Sequence, residues 1–285
     1  MKKLLVFAMF TLKVCIVYSQ NYYWVGGSGN WSDYTNHWAT TSGGSTFQTQ
    51  VPQSGDNVIF DSNSFTAAGQ TVTIDIQSAY CRNITWTGVT NKPALTGSGS
   101  NTLKVYGSLT LVKDMIFSFG GGLSFESINT GNTISTANQH FTSGITFNSP
   151  TGGWTLMDSL ITTGGISLTS GSLNSNNNYI QANTFTSYNS NERRLNLGNS
   201  IVKLSGTGGY TWQVNDVIGL DADSATIILN GGYFYDGGNL YKEVEFVLTN
   251  NDGTLYNLDK VKTATIKKVT IKQAGQMGSR RFDFR

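Results

Sequence analysis

Two pairs of aspartates have the spacing best suited to acid–base chemistry. Hydrolysis of a glycosidic bond uses two carboxylates that face each other across the sugar, about 5 to 9.5 Å apart. Asp221 and Asp223 lie two positions apart in LDADSA, and Asp56 and Asp61 lie in GDNVIFD. The simpler interpretation is a polar loop for the first pair and carboxylates that hold turn N–H groups for the second. We favour the simpler interpretation for both pairs.

A lyase-type site would need an arginine or lysine as its base. Arg193 and Arg194 lie next to Glu192 in SNERRLNLG, but the pattern favours a charged loop before the strand LNL. The two histidines, His37 and His140, have no second histidine or cysteine cluster beside them, so zinc is not expected. We therefore predict no catalytic residue, no metal site and no cofactor. Calcium stays an open alternative, because aspartate and asparagine oxygens are abundant, although no loop has the GGxGxD spacing of calcium solenoids.

Binding needs fewer residues than catalysis, and one segment is rich in aromatic rings. YFYDGGNLY brings Tyr233, Phe234, Tyr235 and Tyr241 together around an Asp-Gly turn. Aromatic faces with a few polar groups nearby are typical of ligand sites. In the simpler interpretation, alternate members of the run are core residues and the others are exposed singly. The candidate binding residues are Tyr233, Tyr235 and Tyr241.

A recurring order of apolar and polar residues indicates how the chain positions these side chains. Residues 81–86 read apolar, two polar, apolar, polar, apolar, and 241–246 and 266–271 repeat that order. The two central residues change from Arg-Asn to Lys-Glu to Lys-Lys, which a solvent-facing corner tolerates. The pattern therefore predicts tight corners whose flanking apolar residues face a core, with Cys81 as an inward, inert thiol.

Short alternating runs from about residue 70 onwards predict strands with one buried face. Glycines precede several of them, and Gly107, Gly122, Gly144 and Gly165 are 15, 22 and 21 residues apart, within the window typical of stacked repeats. A sandwich or barrel would need tight Asn-Gly or Asp-Gly hairpins throughout, but these occur only in the last quarter. The sequence predicts an all-β fold, a β-solenoid of roughly a dozen coils.

The two ends of such a stack need cover, because an open end is a template for aggregation. Residues 20–66 contain Trp24, Trp31 and Trp38 and are predicted to form an N-terminal aromatic cap on a β-helix of residues 67–285. After Ile271 no cap is visible. Either the last residues cover the stack poorly or the sequence is a fragment of a longer protein, and we expect the fragment.

The N-terminus has the features of a secretion signal. Lys2 and Lys3 precede an apolar run over residues 4–10, and we predict a signal peptide of residues 1–19 that is cleaved. A membrane anchor is the rival interpretation. Lys13 breaks the apolar segment, which is short of the about 20 residues that a span needs, so we predict no membrane span in the mature chain.

Composition restricts the class of partner. Removing the three lysines of the signal leaves 16 basic against 17 acidic residues, so no basic surface for nucleic acid is expected. Charged residues make up 13% of the chain against a typical value of about 25%, which argues against a helical protein. Cys81 is the one cysteine after the signal, so no internal disulfide can form.

Five segments together resemble a known repeat region: WVGGSGNWSDYTNHW, GDNVIFDSNSFTAAGQTVTID, AYCRNITWTGV, YGSLTLV and GGWTL. They cover residues 22 to about 170 and are similar to repeats of large secreted surface proteins of Bacteroidetes. The resemblance implies a right-handed parallel β-helix of adhesin type, export, and a surface or matrix role. Such chains often end in a type IX secretion signal, which this sequence lacks.

These observations predict a secreted or cell-surface structural module of adhesin type, without catalysis. The expected partners are glycans or neighbouring cell surfaces. The alternative is a carbohydrate-active β-helix enzyme, a polysaccharide lyase or hydrolase. That alternative would be preferred if one face carried a groove with clustered carboxylates and an arginine or lysine.

Overall fold

The structure is a computed structural model, and it describes residues 19–215, 219–248, 252–256, 265–273 and 282–284. Within these ranges the chain is almost entirely strand, and the one helix is α1 (Tyr34–His37). The predicted signal peptide lies outside the described residues apart from Ser19. Among the described residues, no helix has the length and apolarity that a membrane crossing requires.

The strands follow one another at short intervals along the chain. The first ten are β1 (Asn21–Trp24), β2 (Gly29–Asn30), β3 (Trp38–Ala39), β4 (Asn57–Phe60), β5 (Thr71–Ile74), β6 (Ser78–Cys81), β7 (Ile84–Trp86), β8 (Ala94–Gly97), β9 (Thr102–Val105) and β10 (Leu109–Thr110). The next ten are β11 (Ile116–Phe117), β12 (Gly122–Phe125), β13 (Asn132–Ser135), β14 (His140–Phe141), β15 (Ile145–Leu156), β16 (Leu160–Thr162), β17 (Ile166–Asn174), β18 (Ile180–Ala182), β19 (Phe185–Ser187) and β20 (Arg193–Asn196). The last are β21 (Ile201–Leu204), β22 (Tyr210–Val214), β23 (Leu220–Asp221), β24 (Thr226–Leu229), β25 (Gly232–Tyr235), β26 (Leu240–Leu248), β27 (Gly253–Tyr256), β28 (Thr265–Gln273) and β29 (Phe282–Phe284).

The strands stack in three ladders, which we call face one, face two and face three. Face one contains β1, β4, β7, β10, β13, the C-terminal halves of β15 and β17, β20 and β23. Face two contains β2, β5, β8 and β11, then β14, β16, β18, β21, β24, β26 and β28. Face three contains β6, β9, β12, the N-terminal halves of β15 and β17, β19, β22, β25, β27 and β29.

The ladders are parallel, as the predicted β-solenoid requires, and they form about nine turns. This is fewer than the dozen coils expected from the glycine spacing. Successive partners Val58, Ile84, Leu109 and Ile134 on face one are 26, 25 and 25 residues apart, because each coil needs three strands and three corners. Between β11 and β14, where the face-two ladder is interrupted, the Gln139 side chain accepts the N–H of Phe117 at 3.2 Å.

The predicted inward positions of the first two corners are confirmed. Cys81 and Ile84, on either side of the first corner, are fully buried, as are Tyr241 and Val244 at the second. The second corner is not a break between strands, because Lys242 and Glu243 both lie within β26 as two consecutive outward residues.

The third predicted corner behaves differently. Val269 and Ile271 pair in register with the buried Val244 and Phe246 but are 36% and 48% exposed, so their prediction as core residues is wrong. They lie on β28, and no described strand of face two stacks beyond it.

The predicted aromatic cluster near the N-terminus is confirmed. Trp24, Trp31 and Trp38 are fully buried; the rings of Trp24 and Trp38 are 4.8 Å apart and those of Trp31 and Trp38 are 4.9 Å apart. Strand β3 pairs antiparallel with β1 and so covers the free edge of the first strand of face one. Both β1 and β4 belong to the parallel ladder, so the cluster is continuous with the stack.

Candidate functional site

Four tyrosines form a cluster on the outer side of face three, and we call it the tyrosine patch: Tyr188, Tyr210, Tyr233 and Tyr235. Tyr210 lies 5.6 Å from Tyr233 and 6.3 Å from Tyr235, and Tyr188 lies 5.8 Å from Tyr235, measured between ring centroids. All three contacts are edge-to-face, the arrangement that aromatic quadrupoles favour. The patch therefore spans three successive coils.

Strand alternation beneath the patch sets its outward direction. Phe185, Trp212 and Phe234 are in register on β19, β22 and β25 and stack inside the core, with Trp212 5.1 Å from Phe185 and 5.9 Å from Phe234. Because successive side chains of a strand point to opposite faces, Tyr233 and Tyr235 on either side of Phe234 point outward.

An irregularity in β22 brings Tyr210 to the patch. The ladder shifts register between Tyr210 and Trp212, and the residue between them, Thr211, is buried. A bulge of this kind re-aims a side chain next to it. Tyr210 is consequently paired with Tyr233 and its ring lies across the strand from that tyrosine.

The members of the patch differ in exposure. Tyr188 is 54% and Tyr210 36% exposed, whereas Tyr235 is only 6% exposed and Tyr233 is half-buried. The surface offered to a ligand therefore consists of Tyr188, Tyr210 and Tyr233, with Tyr235 packed beneath them.

The third predicted binding residue, Tyr241, is not part of this surface. It is fully buried, its hydroxyl donates to the carbonyl of Asp236 at 3.0 Å, and it accepts a hydrogen bond from Trp212 Nε1 at 3.2 Å. Burial raises the pKa of Tyr241 far above its usual range. Its prediction as a binding residue is corrected: it is a core residue, as the corner pattern itself indicates.

Sequence reasoning missed Tyr188 and Tyr210, which are distant along the chain from YFYDGGNLY. The signal that could have found them is the repeated aromatic residue at the inward position, Phe185 and Trp212, each near an outward tyrosine.

Two side-chain amides lie next to the tyrosine patch. Gln213 pairs with Tyr235. Asn189 directly follows Tyr188 and donates to the carbonyl of Thr169 at 3.1 Å.

The structure brings Asp221 and Asp223 together at an exposed corner after β23. Desolvation, and then the neighbouring carboxylate of Asp223, raise the pKa of Asp221 above its usual value. Lys267 Nζ lies 3.9 Å from the Asp223 carboxylate. In the described part of the chain, no group of three or more histidine, cysteine or acidic residues is placed to hold a metal ion.

The other aspartate pair holds turns, as predicted. Asp56 is buried and accepts the N–H groups of Gln20 at 3.2 Å and Gln53 at 2.9 Å. Asp61 accepts the N–H of Asn63 at 2.9 Å. These two carboxylates therefore stabilise the backbone at the start and end of β4.

The predicted charged loop at Arg193 and Arg194 is wrong for Arg193. Arg193 begins β20 and is fully buried, because strand alternation places it on the same side as the core residue Leu195. Its Nη2 donates to the carbonyl of Asn215 at 2.5 Å. Arg194 is exposed and lies 3.5 Å from the carboxylate of Glu192. Arg193 is thus a structural residue inside the stack.

The remaining candidate residues are His37, Cys81 and His140, and the first two have structural surroundings. His37 stacks on Trp24 with ring centroids 4.5 Å apart, and its Nδ1 lies 2.7 Å from the carbonyl of Val25. Cys81 is fully buried, and desolvation raises the pKa of its thiol far above the usual range. His140 is exposed at the start of β14.

Comparison with known proteins found no match among family models, curated proteins or solved structures. The fold and the site therefore define the class of this protein on their own. It is a parallel β-solenoid with a buried aromatic cluster at its N-terminal end and a patch of exposed tyrosines on face three.

Proposed function

We propose that this protein is a secreted or cell-surface structural module of adhesin type that binds glycans through the tyrosine patch and has no catalytic activity. The observation that carries the proposal is the position of Tyr188, Tyr210 and Tyr233, which present aromatic rings on three neighbouring coils. Tyrosines supply large contact area at low cost in conformational entropy. The apolar face of a sugar ring can pack on such rings while its hydroxyls bond to nearby amides.

The rigidity of the stack supports this role. Each patch strand is held in parallel ladders on both sides, with β22 between β19 and β25, so the rings keep their spacing before a ligand arrives. A preorganised surface loses less entropy on binding. Single contacts of this kind are weak. Many copies displayed on one surface would bind a glycan at several points at once, and this multivalency would raise the overall affinity.

Export and the surface role are supported by the sequence. Residues 1–19 have the pattern of a cleaved signal, and residues 22 to about 170 resemble repeats of secreted Bacteroidetes surface proteins. The partners proposed are therefore extracellular glycans or neighbouring cell surfaces.

The test is a pull-down of the purified protein on a panel of bacterial, algal and plant polysaccharides, with new chain ends measured in the same tubes. Retention without new chain ends is expected. Tyr210→Ala should lose retention, whereas the matched control Tyr179→Ala should keep it, because Tyr179 is a half-buried tyrosine directly before β18 of face two. Equal retention by both variants, or no retention by the unaltered protein, would refute a role for the patch.

The carbohydrate-active alternative has one observation in its favour. Asp221 has a raised pKa beside a second carboxylate, and a raised pKa suits a general acid. New chain ends that disappear in Asp221→Asn would support hydrolysis at this pair and overturn the non-catalytic proposal.

A further inference from the structure

A concave surface lies on the outer side of face one, near the N-terminal end of the stack. It is an open groove of about 560 Å³, which we call the asparagine groove. Its lining residues belong to β1, β4 and β7 or lie next to these strands, and Ser108, directly before β10, completes the lining. None of them belongs to the tyrosine patch, which lies on face three.

One wall of the groove is a ladder of three asparagines on successive coils. Asn57 Nδ2 donates to Asn21 Oδ1 at 2.9 Å, and Asn83 Nδ2 donates to Asn57 Oδ1 at 2.8 Å. The N–H of Ser108 donates to Asn83 Oδ1 at 2.8 Å and extends the ladder to a fourth coil. Each primary amide carries two N–H donors. Within the described ranges, these bonds leave one N–H of Asn83 and both of Asn21 for a ligand.

The floor of the groove is a strip of outward side chains in register. Tyr23, Ile59 and Thr85 are aligned across β1, β4 and β7, and each is half-buried between two inward residues of its own strand. The strip thus presents an aromatic ring, an apolar side chain and a hydroxyl at successive steps along the axis. Neighbouring strands are about 4.8 Å apart, which is close to the length of one sugar unit in an extended glycan.

The opposite wall carries the single charge of the groove. Asp61 and Thr87 are adjacent across the ladder, since the N–H of Thr87 donates to the carbonyl of Phe60 at 2.9 Å. One carboxylate oxygen of Asp61 holds its turn, and the other has no partner among the described residues. No lysine or arginine is among the lining residues, so an anionic ligand would meet repulsion without compensation.

We propose that the asparagine groove binds a neutral, extended glycan that lies along the solenoid axis, with about one sugar unit per coil. Tyr23 and Ile59 pack against the sugar rings, the amides of Asn21 and Asn83 donate to hydroxyl oxygens, and Asp61 accepts from hydroxyl groups. A peptide added as a strand does not fit this surface. It would need a free backbone edge, whereas β1, β4 and β7 are each paired on both sides.

The proposal is tested by calorimetric titration of the purified protein with neutral hexasaccharides, namely cello-, xylo-, manno- and laminarihexaose, and with anionic hexagalacturonate. At least one neutral hexasaccharide should bind, and hexagalacturonate should not. Thr85→Arg places a bulky cation on the floor and should weaken binding about tenfold or more. Thr155→Arg is the matched control, because Thr155 is an outward threonine of the same face that does not line the groove.

Two further variants complete the design. Tyr23→Ala should weaken binding about tenfold through loss of ring contact, and it carries the test if Thr85→Arg lowers the unfolding temperature. The titrations are repeated with Tyr210→Ala as the starting protein, in which Thr85→Arg and Tyr23→Ala should still weaken hexasaccharide binding about tenfold, so failure of the groove is distinguishable from failure of the tyrosine patch. The proposal is overturned if no neutral hexasaccharide binds, if hexagalacturonate binds equally well, or if affinity follows Tyr210 rather than Thr85 and Tyr23.

Discussion

The inward and outward assignment within β26 leads to a quantitative prediction about stability. Val244 is fully buried and pairs with Ile227 on one side and Val269 on the other. Lys242 is exposed, and Glu243 is an outward residue whose carboxylate lies 2.7 Å from Lys268 Nζ. Substitutions two positions apart in one strand should therefore differ greatly in their effect on the free energy of unfolding.

The expected magnitudes follow from what each substitution removes or adds. Val244→Ala removes two methyl groups from the core and should cost about 2 kcal/mol. Val244→Asp adds a carboxylate without a buried partner and should cost about 5 kcal/mol or more. Alanine at both Lys242 and Glu243 removes one surface ion pair, in which the Lys268 side chain is 65% and the Glu243 side chain 16% exposed, and should cost less than about 1 kcal/mol.

Denaturant unfolding combined with hydrogen exchange measures both the size and the place of the effect. Because each coil contacts only its neighbours, Val244→Asp should expose the amides of β24, β26 and β28 while the coils near the N-terminus stay protected. The double alanine variant is the control. If it proved more damaging than Val244→Ala, or if Val244→Asp left the exchange of β24 unchanged, the assignment of β26 would be wrong.

Three further predictions concern single buried or paired groups. The Cys81 thiol, with its pKa raised by burial, should resist a thiol reagent at pH 8 in the native state and react fully in denaturant; rapid native labelling would contradict its burial. The hydrogen bond from Lys268 is the largest influence lowering the pKa of Glu243. The Glu243–Lys268 pair therefore stabilises the folded protein above the ordinary glutamate pKa of about 4.3, and this stabilisation is lost as the pH falls through the lowered pKa. Acid titrations of Glu243→Gln should lack that part of the pH dependence, and identical curves for both proteins would count against the pair. Asn57→Ala leaves Asn83 Nδ2 without its ladder acceptor and should lower the free energy of unfolding by about 1–3 kcal/mol, whereas a change within error would show that the ladder adds no stability.

Much of the fold could be predicted because it depends on local patterns. Alternation in TVTI, over residues 71–74, predicts a strand with Val72 and Ile74 inside, and both are fully buried. The polar pair at residues 82–83 lies between β6 and β7, as a corner should. A side-chain period of two and a short turn are properties of a few neighbouring residues, so the sequence alone reveals them.

The sequence did not reveal which outward residues meet across coils. Tyr210 and Tyr233 become neighbours only through the length of the intervening corners and a bulge in β22. In the same way, Asn21, Asn57 and Asn83 form a ladder although they are 36 and 26 residues apart.

By itself, the amino-acid sequence determined the class of fold, the inward face of most strands and the aromatic cluster at the N-terminal end. Tertiary structure alone decided that Arg193 belongs to a strand and lies inside the stack, and that Tyr188 and Tyr210 join the tyrosine patch. The physical reason is that burial within a strand follows local alternation, whereas stacking between coils depends on register, which changes with every corner of different length.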